Sequence, residues 1–264
     1  MTKTGGGLTI RKEQFEALQG QARLNFESEL KVHLTEFAPQ LSAAAGEANV
    51  RKFVSAGLER AETHGFARRG PKKLYIDLMA SLGWSFDSDP LYPWAAAVLA
   101  KPDEDEMARS GRLYNSAMEY LDGVAGPDSS FAIEALERGS KATSSDFLGA
   151  NATADSILRE FQAIYPQKYD AAGPAAMRTM LQGAAAEAKR LKIATREGAV
   201  LLASLMFAFG HGVTSDPLYP WVLSTLENGT EADAPQRIEK LTARTKAYMA
   251  AAAANLTRPS SHAR

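Results

Sequence analysis

Apolar side chains fall at helical spacing along most of this chain. Between Arg11 and Phe37, Phe15, Leu18, Ala22, Phe26, Leu30 and Leu34 recur every three or four positions, which predicts one long amphipathic helix. Val50, Phe53, Val54, Gly57, Leu58 and Ala61 predict another. Leu74, Tyr75, Leu78, Met79 and Leu82 predict a third, opened by Pro71 and wetted on one face by Lys72, Lys73 and Asp77. A short helix is expected over 91–100, and a long one over about 104–123 with Leu113, Tyr114, Met118, Tyr120 and Leu121. No segment sustains the alternation a strand needs, so the expected fold class is all-α.

The same grammar then returns. Ser88-Asp89-Pro90-Leu91-Tyr92-Pro93-Trp94 recurs letter for letter as Ser215-Asp216-Pro217-Leu218-Tyr219-Pro220-Trp221, an offset of 127 positions. The same offset carries Pro39-Gln40 onto Pro166-Gln167, Gly46 onto Gly173, Met79 onto Met206 and Gly83 onto Gly210. Matched letters over so long a stretch predict a tandem duplication of a roughly five-helix unit. The second stripe becomes Met177, Met180, Leu181, Ala184, Ala185 and Ala188, smaller residues that imply closer packing. The third helix becomes Leu201, Leu202, Leu205, Met206 and Phe209, with Ala199, Val200 and Ser204 replacing Lys72, Lys73 and Asp77. Apolar nearly all round, it should be buried nearly all round, at the contact between halves or under a partner. The first helix has a shorter counterpart over about 146–164. The last returns over about 235–256, now at offset 128 after a one-residue insertion in Glu227-Asn228-Gly229-Thr230.

The expected organisation is a first helical repeat over 1–127, a linker over 128–145 and a second repeat over 146–264. They would pack as one elongated body or a pseudo-twofold pair. Within the linker, a short helix over 131–138 would be capped by Ser129 or Ser130, and 139–145 would be plain connection. Gly5-Gly6-Gly7 and residues 259–264 read as frayed tails.

Composition narrows the function. A net charge of −1 leaves no bulk electrostatic footprint for nucleic acid or a membrane surface. The absence of Cys excludes disulfides, thiolate zinc sites and a cysteine nucleophile. The first residues lack the apolar stretch of a secretory signal, and the apolar run from Ala199 to Phe209 is too short to span a bilayer. A cytoplasmic location is therefore expected. No phosphate-binding loop, nucleophile elbow or His-Glu-x-x-His is present, and neither a cofactor nor a metal is expected.

The repeated heptapeptide admits two accounts. In the first, Asp89 and Asp216 are helix N-caps, Pro90 and Pro217 take the first helical position, and Trp94 buries its ring against the preceding helix. In the second, the copies line paired sites, where Tyr92 and Tyr219 present hydroxyls beside Asp87, Asp89 and Asp216. Asp87 becomes Thr214 in the second copy, which weakens an acid–base or metal site. Among the histidines His33, His64, His211 and His262, only His211 stands between glycines, as a loop base or a plain loop residue beside a C-capping glycine. Arg68, Arg69, Lys72 and Lys73 form a basic cluster at a helix start, either a contact patch or a solvated turn. Asp103-Glu104-Asp105-Glu106 suits a helix N-terminus, where negative charge is favoured.

Five elements of the first half resemble a known family. They are Leu8-Thr9-Ile10-Arg11-Lys12-Glu13-Gln14, the stretch 30–39 around His33-Leu34 and Phe37, Gly57-Leu58-Glu59-Arg60-Ala61 with His64-Gly65, Tyr75-Ile76-Asp77-Leu78-Met79, and the 87–94 loop. Together they resemble the helical accessory proteins encoded near PAAR-repeat and Rhs-type toxins in type VI secretion loci. The resemblance covers about Leu8 to Trp94 and brings no catalytic residues. It implies an adaptor that delivers a toxin or an immunity protein that neutralises one.

The expected function is thus non-enzymatic protein binding, with a secreted toxin or its delivery component as partner. The contact residues would be Trp84, Asp87, Tyr92, His211 and Tyr219, with Arg68, Arg69, Lys72 and Lys73 and with Trp84 set against His211. The alternatives are an enzyme or toxin with its site at the duplicated Asp-Pro loops, and a structural homo-oligomer built on the apolar helix from Ala199.

Overall fold

The structure, a computed structural model, describes residues 11–100, 105–149, 152–227 and 229–257. Gly5-Gly6-Gly7, Leu8-Thr9-Ile10, Asp103, Glu104, Asn228, His262 and the tail from residue 258 lie outside the described residues.

Those residues form thirteen α-helices and no strand, so the fold is all-α. In the first half α1 (Lys12–Phe37) leads through α2 (Pro39–Ala45) to α3 (Glu47–Thr63), α4 (Arg69–Leu82), α5 (Pro93–Leu99) and α6 (Glu106–Ala125). A 3-10 turn (Pro127–Ser129), α7 (Ser130–Lys141) and α8 (Ser144–Phe147) connect to the second half. That half contains α9 (Ala154–Ile164), α10 (Pro166–Arg190), α11 (Arg196–Phe209), α12 (Pro220–Leu226) and α13 (Ala234–Leu256). Helices α4 and α11 differ by 127 positions at both ends, as do α5 and α12, and α6 and α13 start 128 apart. Backbone angles match too: φ is 82° at Gly46 and 79° at Gly173, where α10 kinks, and 110° at Gly83 and 98° at Gly210.

One continuous hydrophobic core runs from Leu30 and Leu34 through Phe53, Tyr75 and Tyr92 to Met177, Leu202 and Leu241. The segment expected as a linker packs against it through Ala142. Helix α7 extends to Lys141, packs along α13 and buries Ala135, so 139–141 is helix rather than connection. Neither serine caps it with a side chain; Ser129 takes a left-handed φ of 61° instead. The counterpart of α1 is broken, with α8 and α9 replacing one continuous helix.

The stripe of α1 is only half used. Leu30 and Leu34 are buried and Phe26 packs against the core, but Phe15 and Leu18 are 53% and 59% exposed. The helix runs past the elements that cover its lower half. Helix α11 is buried as its composition requires, with Leu202, Ala203 and Leu205 fully enclosed. Its cover comes chiefly from α10, α13 and α8, and its C-terminal end meets the first half at Gly83.

Candidate functional site

The heptapeptide aspartates do not cap helices. Tyr92 and Tyr219 occupy the N-cap positions of α5 and α12, and Pro93 and Pro220 follow in the first turn. Pro90 and Pro217 sit one turn earlier, ahead of the helices. Each aspartate instead closes its own turn: Asp89 Oδ1 accepts Leu91 N–H at 2.9 Å, and Asp216 Oδ1 accepts Leu218 N–H at 2.8 Å. Each also reaches across to the opposite half. Asp89 Oδ2 accepts the His211 N–H at 2.8 Å, and the Trp84 N–H turns to Asp216. His211 stands 127 positions after Trp84, so the exchange is reciprocal. It is possible because the glycine turns touch. A Cβ on Gly83 would lie 2.5 Å from Phe209 O, and one on Gly210 would lie 2.8 Å from Leu82 O.

Both aspartates are almost fully buried, and burial pushes both carboxyls upward, Asp216 to about 7, against the opposing pull of their backbone donors. Sequence spacing placed a cap at these positions because an Asp before Pro satisfies the same free N–H groups either way. The cross-half partner lies 122 residues away, beyond the reach of any local signal.

Beside this clasp the two halves present matching aromatic sets. Tyr92, Trp94 and Tyr120 pack at centroid distances of 5.2–6.3 Å, and Tyr219, Trp221 and Tyr248 gather in the same way. Trp94 is half-buried and rests on Tyr120 of α6. Tyr92, Tyr120, Tyr219 and Tyr248 all line one cavity of about 480 Å³ between the halves. Phe161, Tyr165, Phe207 and residues of α7 and α13 complete it, and exposed Thr143, Ser144 and Glu197 bring it to the surface. Val200 and Ser204 also line it, where α4 carries Lys73 and Asp77.

Lys168 enters this cavity from the first turn of α10. It is 6% exposed, with Nζ 5.7 Å from the Tyr92 ring centre and 5.6 Å from that of Phe207. Among the described residues it makes no hydrogen bond or ion pair. Burial pushes the ammonium down to about 8, partly opposed by the charge of Asp89. Nothing singled Lys168 out in the sequence except its partner under the repeat: the matching position is Leu41.

A different polar cluster lies in the first half; at the matching positions of the second, Thr214 donates to Glu187, which pairs with Arg190 at 2.6 Å. Asp87 accepts from Arg60, from His64 Nε2 at 3.0 Å and from the Tyr75 hydroxyl at 2.6 Å. Burial alone would raise this carboxyl, but the His64 and Tyr75 hydrogen bonds and the Arg60 charge hold it down at about 2. Arg60 also donates to Trp84 O and lies over the Trp84 ring, which packs on Phe53. Trp84 touches the second half at Gly212 rather than stacking on the His211 ring. His211 contributes its backbone, while its Nδ1 is buried with no hydrogen-bond partner among the described residues.

The basic turn is largely neutralised. Arg68 pairs with Glu106 at 3.3 Å, Arg69 pairs with Glu29 and covers Phe26, and Lys72 pairs with Glu62 at 2.7 Å, leaving Lys73 on the exposed face. Two buried arginines escaped the sequence reading. Arg237 donates to the carbonyls of Leu191, Lys192, Leu226 and Thr230, and Arg109, 128 positions earlier, donates to His64 O at 2.6 Å. They satisfy matching helix ends of α10 and α3. Their recurrence at offset 128 was the available signal.

The site thus defines an all-α protein whose halves meet at a reciprocal aspartate clasp beside an aromatic cavity holding one buried lysine. Compared with known proteins, the chain matches no family model, no curated protein and no solved structure.

Proposed function

We propose that this chain is a non-enzymatic protein-binding protein, an adaptor or immunity protein for a secreted bacterial toxin of the type VI secretion kind, acting in the cytoplasm. The observation that carries this reading is the exposed first half of α1. Residues 12–22 are exposed on every side, and Phe15 and Leu18 continue the stripe that Phe26, Leu30 and Leu34 bury below. An apolar stripe on a projecting helix is what helix-in-groove recognition uses. The resemblance of residues 8–94 to toxin-locus accessory proteins supplies the partner class.

The alternatives have less support. Asp89 and Asp216, the residues an enzyme at the duplicated loops would need, spend both carboxylates on backbone N–H groups. The apolar helix from Ala199, on which a homo-oligomer would rest, is covered by its own chain. Among the described residues no helix is long and apolar enough to cross a membrane.

The test is capture of the neighbouring gene's product by the wild type and by a Phe15→Asp/Leu18→Asp variant, with a toxicity-rescue assay alongside. Capture by the wild type and loss in the variant, at unchanged melting temperature, is the expected result. Rescue marks immunity, and capture without rescue marks delivery. Equal capture by both proteins removes α1 from the interface.

A further inference from the structure

The fold itself does not require a lysine at position 168. In the matched turn of the first half, Pro39-Gln40-Leu41, the residue is a leucine that packs against the core. In Pro166-Gln167-Lys168 the same place holds an ammonium that is nine-tenths buried and has no hydrogen-bond or ion-pair partner among the described residues. Burying an uncompensated charge costs far more than burying a methyl group. Two ring faces at more than 5.5 Å offset only part of that cost. Asp89 is near enough to attract the ammonium, but its oxygens already serve Leu91 and His211. The Lys168 N–H donors therefore remain available to something that enters the cavity.

The cavity states what that is. Its volume of about 480 Å³ suits a small organic molecule. Its walls near Lys168 are the rings of Tyr92, Phe161, Tyr165 and Phe207, and farther along they are Ala135, Met249 and Ala252. Lys168 is the one cation at its buried end; Lys246 is the other lysine in the lining, and it is only half-buried. One buried positive charge in a chamber walled mostly by aromatic and aliphatic side chains fits one negative charge on an apolar body.

We propose that this cavity binds an amphipathic monocarboxylate, its head group paired with the Lys168 ammonium and its apolar body enclosed by the aromatic walls. The site is separate from the α1 surface, so it stands or falls independently of the protein partner. Aliphatic and aromatic acids share this chemistry.

The test is calorimetric titration of the full chain with decanoate, with 2-naphthoate and with uncharged decan-1-ol, repeated on Lys168→Met. The expected result is saturable binding of at least one carboxylate, one per chain, tighter than decan-1-ol and weakened about tenfold or more by Lys168→Met. Decan-1-ol binding should be the same in both proteins, which also shows that the variant's cavity is intact. Preference for decanoate identifies an aliphatic acid, and preference for 2-naphthoate an aromatic one. If neither acid saturates below about 1 mM, if decan-1-ol binds the wild type as tightly as the acids, or if Lys168→Met binds the acids undiminished, the proposal is overturned. Should Lys168→Met fail to fold, Lys168→Leu, which places the sister residue there, carries the same comparison.

Discussion

The two halves share a backbone grammar and differ in where they keep their polar groups. In the first, Arg60, His64, Tyr75 and Asp87 form a hydrogen-bonded cluster, and Lys72, Lys73 and Asp77 wet one face of α4. The second has Glu187, Leu191, Leu202 and Thr214 at the first four positions and Ala199, Val200 and Ser204 at the others. Lys168, in place of Leu41, is a charge it adds and places inside. Packing is exchanged as well: Gly57 makes room for Ile76 in the first half, and Ala184 and Ala203 occupy those positions in the second. Shared letters therefore mark the backbone contacts common to both halves, while the differing letters mark where each half has acquired its own surroundings.

The sharpest way to break this comparison is at the glycine turns. Gly83→Ala or Gly210→Ala meets a left-handed φ and the opposite half's backbone together, and should destabilise by about 3–5 kcal/mol in urea unfolding. Near-wild-type stability would mean that the turns do not touch. Next in size, Arg237→Met leaves buried carbonyls at Leu191 and Leu226 without their donor and should cost about 2–4 kcal/mol. Arg109→Met tests whether the first half depends on its arginine equally.

Asp87 and Asp216 should also respond to pH with opposite sign. Asp87, held at about 2 in the folded state against ~3.9 unfolded, stabilises above pH ~4, and that contribution fades as pH falls toward 2. Asp216, raised to about 7, contributes fully below pH ~4, and its contribution is lost as pH rises toward 7. Stability profiles of Asp87→Asn and Asp216→Asn should each lose the corresponding slope, and parallel profiles would contradict the burial of one of the two. The smallest effect should be a gain. Lys168→Leu, which makes the second half resemble the first, should raise stability at neutral pH by about 1–2 kcal/mol, read as a melting temperature a few degrees higher.

Periodicity located most helices because a side chain that must be buried recurs with the turn of its own helix. The presence of α4 and α11 and the burial of α11 were legible for that reason. Local spacing misjudged Phe15 and Leu18, since a stripe records a preference for burial and not whether a neighbour extends far enough to provide it. It misjudged α7 likewise, whose packing on α13 depends on a helix a hundred residues away. The candidate site was legible in part: Tyr92 and Tyr219 were named, and both line the cavity.

By itself the sequence determined an all-α chain and the positions at which its two halves correspond, because both follow from short-range geometry and from identity of letters. Only the tertiary structure decided that Asp89 and Asp216 bind across the halves instead of capping helices. It alone revealed the cavity and the isolation of Lys168 within it. Those outcomes depend on which groups meet after distant segments pack, and no local spacing encodes them.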